Sequence, residues 1–413
     1  MKFGSNRLLT ALRLALYPAL EPAAAKRFEA FTREVRNTRE AGDLAGAEQL
    51  YLRAMAEARD SSDPTQLNFL RYGLAEVYQE QKKYPEAELL LRERLEESLK
   101  AAQPNTEVHA AHMHLARFYQ EQGKLAQAEE HYKSALAETE KPGVWPDREL
   151  LSSTALWLGR FYVERQRYRD AEPLFRRFVE TREASRPSDP SLPHYLPELA
   201  KIYEALEEYA AAEELYRRAL KIAEELDEPK DFLIVRALDE LAQFCQSRGR
   251  YSEAEDHSRR SLSLVEEKIQ AQTIADIKRH SRWSKNSDAD ARVKRARIPI
   301  SEALDRLAVI YELREKYAES EPLRRRSIEI KEQAWGEANA RIWVDSLAAH
   351  AKALHKLGRD DEAARLDERV GAIRAQYPGG YRAYARLTSR PMKRTLRGRF
   401  RIFMNALLHP SPR

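Results

Sequence analysis

A single cysteine, Cys245, is the entire thiol complement of this 413-residue chain. One thiol closes no internal disulfide, and neither a cysteine-based zinc site nor a redox pair can be built from it. A reducing, cytoplasmic setting is therefore expected. Glycine is also scarce, at 14 residues, which leaves little material for the tight turns of a strand-rich fold. No apolar run approaches the ~20 residues that a membrane-crossing helix needs. The leucine-rich start from Met1 to Leu20 is broken by Arg13, which argues against a secretory leader. Phosphate-cradling glycine loops and the Gly-x-Ser-x-Gly elbow are missing, and so is the His-Glu-x-x-His pair of zinc enzymes. These absences exclude the commonest catalytic frameworks. The chain is expected to be no enzyme and to need no cofactor or metal.

What is abundant is charge, at 33% of residues, set in a background of helix-forming Ala, Leu, Glu and Arg. A short pattern recurs in it: Leu-Ala-x-x-Tyr, a break ending in Tyr, then Ala-Glu and an apolar pair. Leu199-Ala200-Lys201-Ile202-Tyr203 shows it, followed by Tyr209, Ala212-Glu213, Leu215-Tyr216 and Ala219-Leu220. With the Ala of Ala-Glu as marker, copies fall at Ala47, Ala87, Ala128, Ala171, Ala212, Ala254, Ser320 and Ala363. The intervals are 40, 41, 43, 41, 42, 66 and 43 residues. Fixed periods of this size mean helical repeats. Leu199, Ala200 and Tyr203 share one helix face, and Ala212, Leu215, Tyr216 and Ala219 share the face of the next helix. Each helix pair leaves an apolar flank that only the following pair covers. Pro85, Pro173 and Pro322 are expected near the start of the second helices, where a missing N–H is harmless.

The units Tyr168-Arg-Asp-Ala-Glu-Pro-Leu-Phe175 and Tyr209-Ala-Ala-Ala-Glu-Glu-Leu-Tyr216 resemble the kinesin light chain type of tetratricopeptide repeat. Ser188-Asp189-Pro190 and Ala334-Trp335-Gly336-Glu337 are similar to that family's linkers. The resemblance spans roughly residues 30–375. It implies an all-α, right-handed α-solenoid of about eight helix-turn-helix repeats that binds other proteins.

Three segments are set apart: an amphipathic extension at 1–25, the repeat body at 26–378, and a tail at 379–413. The one long interval places an insertion at about 268–298, with nine basic and three acidic residues. Its expected form is an extended second helix and a solvated loop, with a contact arm for an acidic partner as the alternative. The tail holds nine Lys and Arg and no acid. Met392, Leu396, Phe400, Phe403 and Leu407 fall on one helical stripe, with Arg397 and Arg401 on another face. Such a stripe suits a cap sealing the last repeat around Leu354, Leu357 and Leu366, the simpler use. It suits equally a peripheral membrane or acidic-partner contact. The ends carry +2 and +9 of a total of +5, which leaves the body at −6. Nucleic acid is therefore disfavoured as a ligand of the repeats.

The first helices are expected to line a groove that holds a peptide or helix of a partner protein. Glu76, Arg117, Arg160, Lys201 and Gln243 recur at one register, and Tyr72, Met113 and Leu156 lie four residues earlier. Gln120 and Arg236 complete the candidate surface. Apolar beside basic suits a ligand with a bulky apolar anchor and acidic neighbours. The alternative role is that of a regulatory repeat protein in signalling or on nucleic acid, acting through the basic tail and insertion. Cys245 occupies the slot held elsewhere by Tyr78, Tyr119, Tyr162, Tyr203 and Tyr311, so it belongs to the core. His109, His112 and His114 cluster in one first helix. Without a carboxylate or cysteine partner they read as a histidine patch and not as a metal site.

Overall fold

The computed structural model describes residues 22–61, 64–100, 106–141, 148–186, 189–226, 231–269 and 294–376. Helix accounts for 88% of these residues, and no strand occurs among them. Sixteen α-helices follow one another as helix-turn-helix pairs. They are α1 Pro22–Glu40, α2 Leu44–Ser61, α3 Pro64–Glu80, α4 Tyr84–Lys100, α5 Thr106–Glu121, α6 Leu125–Glu140, α7 Arg148–Val163 and α8 Tyr168–Ser185. The series continues with α9 Leu192–Ala205, α10 Tyr209–Glu225, α11 Asp231–Ser247, α12 Tyr251–Leu264, α13 Ile298–Leu313, α14 Tyr317–Trp335, α15 Val344–Lys356 and α16 Asp360–Gln376. A π-helical turn, Val265–Ile269, prolongs α12, and a 3-10 turn, Glu337–Ile342, precedes α15. Residues 1–21, the insertion between 270 and 293, and the tail with Met392, Leu396, Arg397, Phe400, Arg401, Phe403 and Leu407 lie outside the described residues.

These helices form two compact units, 22–165 and 166–376. Within each, every helix packs on the next in the chain, the arrangement of an α-solenoid. The first unit has a core of Val35, Ala47, Tyr51, Met55, Ala58, Leu70, Leu74 and Val77. In the second, Ala200, Ala212, Tyr216, Leu241, Phe244, Cys245, Ala254 and Ile310 form one continuous cluster, with Cys245 buried as its slot predicts.

The repeat marker reports the closest helix contact. All eight marker residues, Ser320 included, are 0% exposed. A larger side chain there would push two helices apart. Five residues before each marker the chain turns with a positive φ: Gly42, Lys82, Gly123, Gln166, Glu207, Gly249, Glu315 and Gly358. The following N–H then closes back on the helix it has left. Lys124 N–H donates to the Tyr119 carbonyl at 2.9 Å, and Glu208 N–H to that of Tyr203 at 2.8 Å. This is the helix-ending geometry that satisfies an orphaned carbonyl.

The Glu that follows the marker joins neighbouring repeats. Tyr119 donates its hydroxyl to Glu88 at 2.9 Å, and Tyr162 donates to Glu129 at 3.0 Å. A lysine from the intervening turn adds an ion pair, as in Lys83–Glu48 and Lys124–Glu88, both at 2.9 Å. Where Cys245 replaces the tyrosine, Arg250 takes over and pairs with Glu213 at 3.0 Å.

A second series runs along the second helices of the 166–376 unit. Arg218 pairs with Glu183 at 2.7 Å, Arg260 with Glu224, Arg326 with Glu266 at 2.5 Å, and Arg369 with Glu332 at 2.6 Å. Each arginine sits six residues after its marker, and each glutamate twelve after the preceding one. Surface spacing alone suggests pairing within single helices; these pairs instead span consecutive repeats.

The prolines depart from expectation in part. Pro85 lies in the first turn of α4, but Pro173 and Pro322 are each the sixth residue of their helices. Each therefore forgoes one backbone hydrogen bond. Both prolines are exposed.

Candidate functional site

The first helices of each unit present a face of side chains that bridge neighbouring repeats. In the 22–165 unit, Arg39 of α1 reaches Glu76 at 3.2 Å and Glu80 at 2.6 Å on α3. Glu76 also accepts the Tyr72 hydroxyl at 2.9 Å. The Tyr72 ring stacks on His114 of α5, with centroids 3.7 Å apart and planes at 17°. Arg94 of α4 lies over Tyr72, contacts His114 Nδ1 and pairs with Glu107 at 2.8 Å. Burial beside Arg94 and Arg117 pushes the His114 imidazole well below its ordinary pKa, so it stays neutral.

Met113 and Arg117 of α5 and Arg160 of α7 are half-buried on the same set of helices. Gln120 is fixed at both ends of its amide. It accepts the Tyr132 hydroxyl at 2.8 Å and donates to Glu164 at 2.7 Å. Leu156 differs from its two register-mates: it is 2% exposed, a core residue with no surface to offer a ligand. The apolar anchor points on this unit therefore reduce to Tyr72 and Met113.

The other histidines diverge. His109 pairs through Nε2 with Thr154 Oγ1 at 2.8 Å. His112 faces His131 of α6, their Nδ1 atoms 2.9 Å apart. Burial is the main cause that lowers His109 and His112 to about 4, each helped by a neighbouring histidine. Among the described residues, no group of three His, Cys, Asp or Glu side chains is placed to hold a metal.

In the 166–376 unit the same registers carry different chemistry. Lys201 of α9 is already paired with Glu240 of α11 at 2.7 Å. Arg236 of α11 contacts the His194 ring on α9, and Gln243 is exposed. The register that holds Tyr72 and Met113 in the first unit holds Asp239 and Asp305 here. Asp239 of α11 binds Arg306 of α13 at 2.8 Å and accepts from Ser261 at 2.7 Å. Burial raises its carboxyl despite that arginine. Asp305 is held by Arg324 at 3.2 Å and by Lys331. Periodicity alone does not reveal the half-buried Asp239–Arg306 pair, because an Asp at one register and an Arg a repeat later look like two ordinary surface charges.

Comparison with known proteins agrees with this architecture. A tetratricopeptide repeat model matches residues 150–225 and 191–267, two windows offset by one repeat. A second model of the same repeat matches 113–141. A search among curated proteins finds no match. Among solved structures, a signal-transduction ATPase with a tetratricopeptide repeat sensor from Pyrococcus horikoshii aligns with 90% of this chain and 53% of its own length. Its TM-score is 0.52 at 16% identity, a likeness of fold. BtubC of P. vanneervenii is 21% identical, with 54% of this chain and 90% of that chain covered, at a TM-score of 0.45. A putative kinesin light chain of Podosopora anserina is 24% identical over 49% of this chain and 96% of that one, at a TM-score of 0.41. Tetratricopeptide repeats are thus recognised by sequence at residues 113–141 and 150–267, and the solved structures similar to this chain include kinesin light chain-like repeat proteins.

Proposed function

We propose that this chain is a non-enzymatic scaffold that holds a peptide or helix of a partner protein on the face of its first helices. Stacked helix pairs of this kind serve in general as protein-interaction surfaces. The observation that carries the reading is the 22–165 unit, where half-buried Tyr72 of α3, Met113 and Arg117 of α5, and Arg160 of α7 lie on successive first helices. An apolar anchor flanked by carboxylates fits such a surface, because guanidinium–carboxylate bonds are among the stronger polar contacts. Lys201 lies on the other unit, where it pairs with Glu240.

The test uses a fluorescent peptide library in which one Trp or Leu is flanked by acidic residues. The Arg117→Glu, Arg160→Glu double variant should keep its helix content and bind the selected peptides at least ~10-fold more weakly, each lost charge-assisted contact being worth about 1.5–3 kcal/mol. Lys201→Glu alone should change little. Unaltered peptide binding in the double variant would remove the proposed site.

A further inference from the structure

Two leucines of α4, Leu89 and Leu99, turn to solvent, each 58% exposed. They stand two and twelve places after the marker Ala87. In the five second helices that follow, the first of these places holds Glu130, Pro173, Glu214, Asp256 and Pro322. The second holds Glu140, Glu183, Glu224, Glu266 and Glu332. Four of those last glutamates bind the arginine six places after the next marker. After Leu99 that place is Ser134, so neither half of the ion pair is present at this joint. Apolar surface is exposed where the other repeats carry charge.

Between the leucines lie Arg92 and Glu96, both exposed. The four residues follow i, i+3, i+7 and i+10, a single stripe with ~15 Å between its apolar ends. Arg92 bonds to the Tyr119 hydroxyl through Nε and Nη2, and to Glu88 through Nη2 at 3.0 Å. Its Nη1 has no partner among the described residues, and Glu96 makes no hydrogen bond or ion pair among them. The two do not pair with each other, since an arginine one turn before a glutamate is the weaker order within a helix.

Such a stripe is its own complement under a two-fold axis. With two α4 helices antiparallel and centred between Arg92 and Glu96, Leu89 meets Leu99 of the second copy. Arg92 then meets Glu96 of the second copy, and both contacts occur twice. No like charges are opposed along the stripe. We propose that the exposed face of α4 is a self-association surface through which two copies of this chain pair as an antiparallel, two-fold dimer. A foreign helix would need leucines and charges in matching order; a second copy has them by symmetry. The preceding second helix, α2, adds Leu52, 39% exposed, at the register of Arg92. One helix from each copy makes an interface at the small end of the range, so pairing is a reversible equilibrium and not a permanent dimer. This inference uses no residue of the proposed peptide site and is independent of it.

Sedimentation equilibrium of the full chain between ~1 and ~300 µM should show a reversible monomer–dimer equilibrium. Leu89→Glu with Leu99→Glu should keep the circular-dichroism spectrum and weaken association at least ~10-fold, because it removes the apolar contacts and sets like charges in their place. Glu96→Arg alone opposes two arginines across the axis and should also weaken association at least ~10-fold. Adding Arg92→Glu to it restores opposite charges with the signs exchanged, and should recover most of the loss. A chain monomeric at ~300 µM would leave the stripe to a different partner and overturn the proposal. A dimer that survives the double leucine change, or a charge reversal that the second change fails to rescue, would overturn it as well.

Discussion

Tyr203 donates its hydroxyl to Glu172 at 2.8 Å, so the first helix of one repeat is bonded to the second helix of the repeat before it. Burial and the nearby carboxylate raise the phenol to about 12. The neutral, donating form is thus the one the fold selects.

Removing that donor tests whether the clasp contributes stability or merely fills space. Tyr203→Phe keeps the ring and should cost about 1 kcal/mol. A double-mutant cycle with Glu172→Ala should give a coupling energy of at least ~0.5 kcal/mol, as expected for side chains in contact. Because the folded phenol titrates above the unfolded one, its stabilisation is complete below about pH 10 and fades as pH rises through 12. A cycle with no coupling, read from urea melts at neutral pH, would reduce the pair to coincidence.

The turns make a sharper forecast, because four of the eight left-handed positions hold residues other than glycine. Glu207 has φ +64°, a conformation that costs an L-residue roughly 1–2 kcal/mol. Glu207→Gly should therefore be neutral or stabilising by up to ~1 kcal/mol, after allowance for the freer unfolded chain. Gly123, at φ +71° with open space around it, should lose about 1 kcal/mol on change to Ala, from strain alone. Gly73 fails for another reason: its missing Cβ would lie 2.4 Å from the Tyr51 ring, so Gly73→Ala overpacks the core by about 1–3 kcal/mol. Thermal melts of the three variants rank them. A stabilising Gly123→Ala would contradict the turn geometry.

What the sequence made legible follows from size and spacing. A small residue every 40-odd positions is demanded by close helix contact, so Ala212 and its seven equivalents could be placed without coordinates. The partner of Glu172 could not, because Ala-Glu reads as a core residue followed by an exposed one until the next repeat's tyrosine is seen above it. The burial of Leu156 is not legible in the sequence because α7 is apolar around most of its circumference, with Leu150, Leu151, Trp157, Leu158 and Phe161 beside it. A one-stripe face assignment cannot separate its sides. Arg218–Glu183 and its three equivalents are not legible in the sequence, because an Arg and a Glu about a repeat apart read as ordinary solvated charges.

Acid should loosen the histidine-bearing repeat first. His109 and His112 are held neutral down to about pH 4, whereas their unfolded counterparts take up protons near 6.5. Their contribution is therefore intact above pH 6.5 and is lost as pH falls toward 4. His109→Gln preserves a hydrogen-bonding partner for Thr154 but cannot titrate. Its stability should fall less steeply between pH 6.5 and 4.5, by up to ~1.4 kcal/mol per pH unit for the one proton removed. Urea melts across that range, giving parallel slopes for variant and wild type, would show that His109 does not control the acid response.

A last forecast concerns excision of a whole repeat from the 166–376 unit. Deleting 209–250 joins Glu208 to Tyr251 and keeps the register, because Tyr251 stands 42 residues after Tyr209 in the equivalent place. The Tyr203–Glu172 clasp survives, since neither residue is removed. Arg260 then occupies the position of Arg218 and should pair with Glu183 in place of Glu224. Two contacts have no substitute: Arg306 loses Asp239, whose equivalent in α9 is Pro197, and Lys201 loses Glu240, whose equivalent in α13 is Arg306. The shortened chain should therefore remain helical and melt cooperatively, but at a lower temperature than nearest-neighbour bookkeeping alone would give. Restoring an acceptor by Pro197→Asp should recover part of the loss. Deleting only 209–229 leaves α11 without a second helix to follow α9, exposes the flank that Tyr216 and Ala219 covered, and should abolish cooperative melting. If the two deletions melt alike by circular dichroism, the helix pair is not the unit of stability.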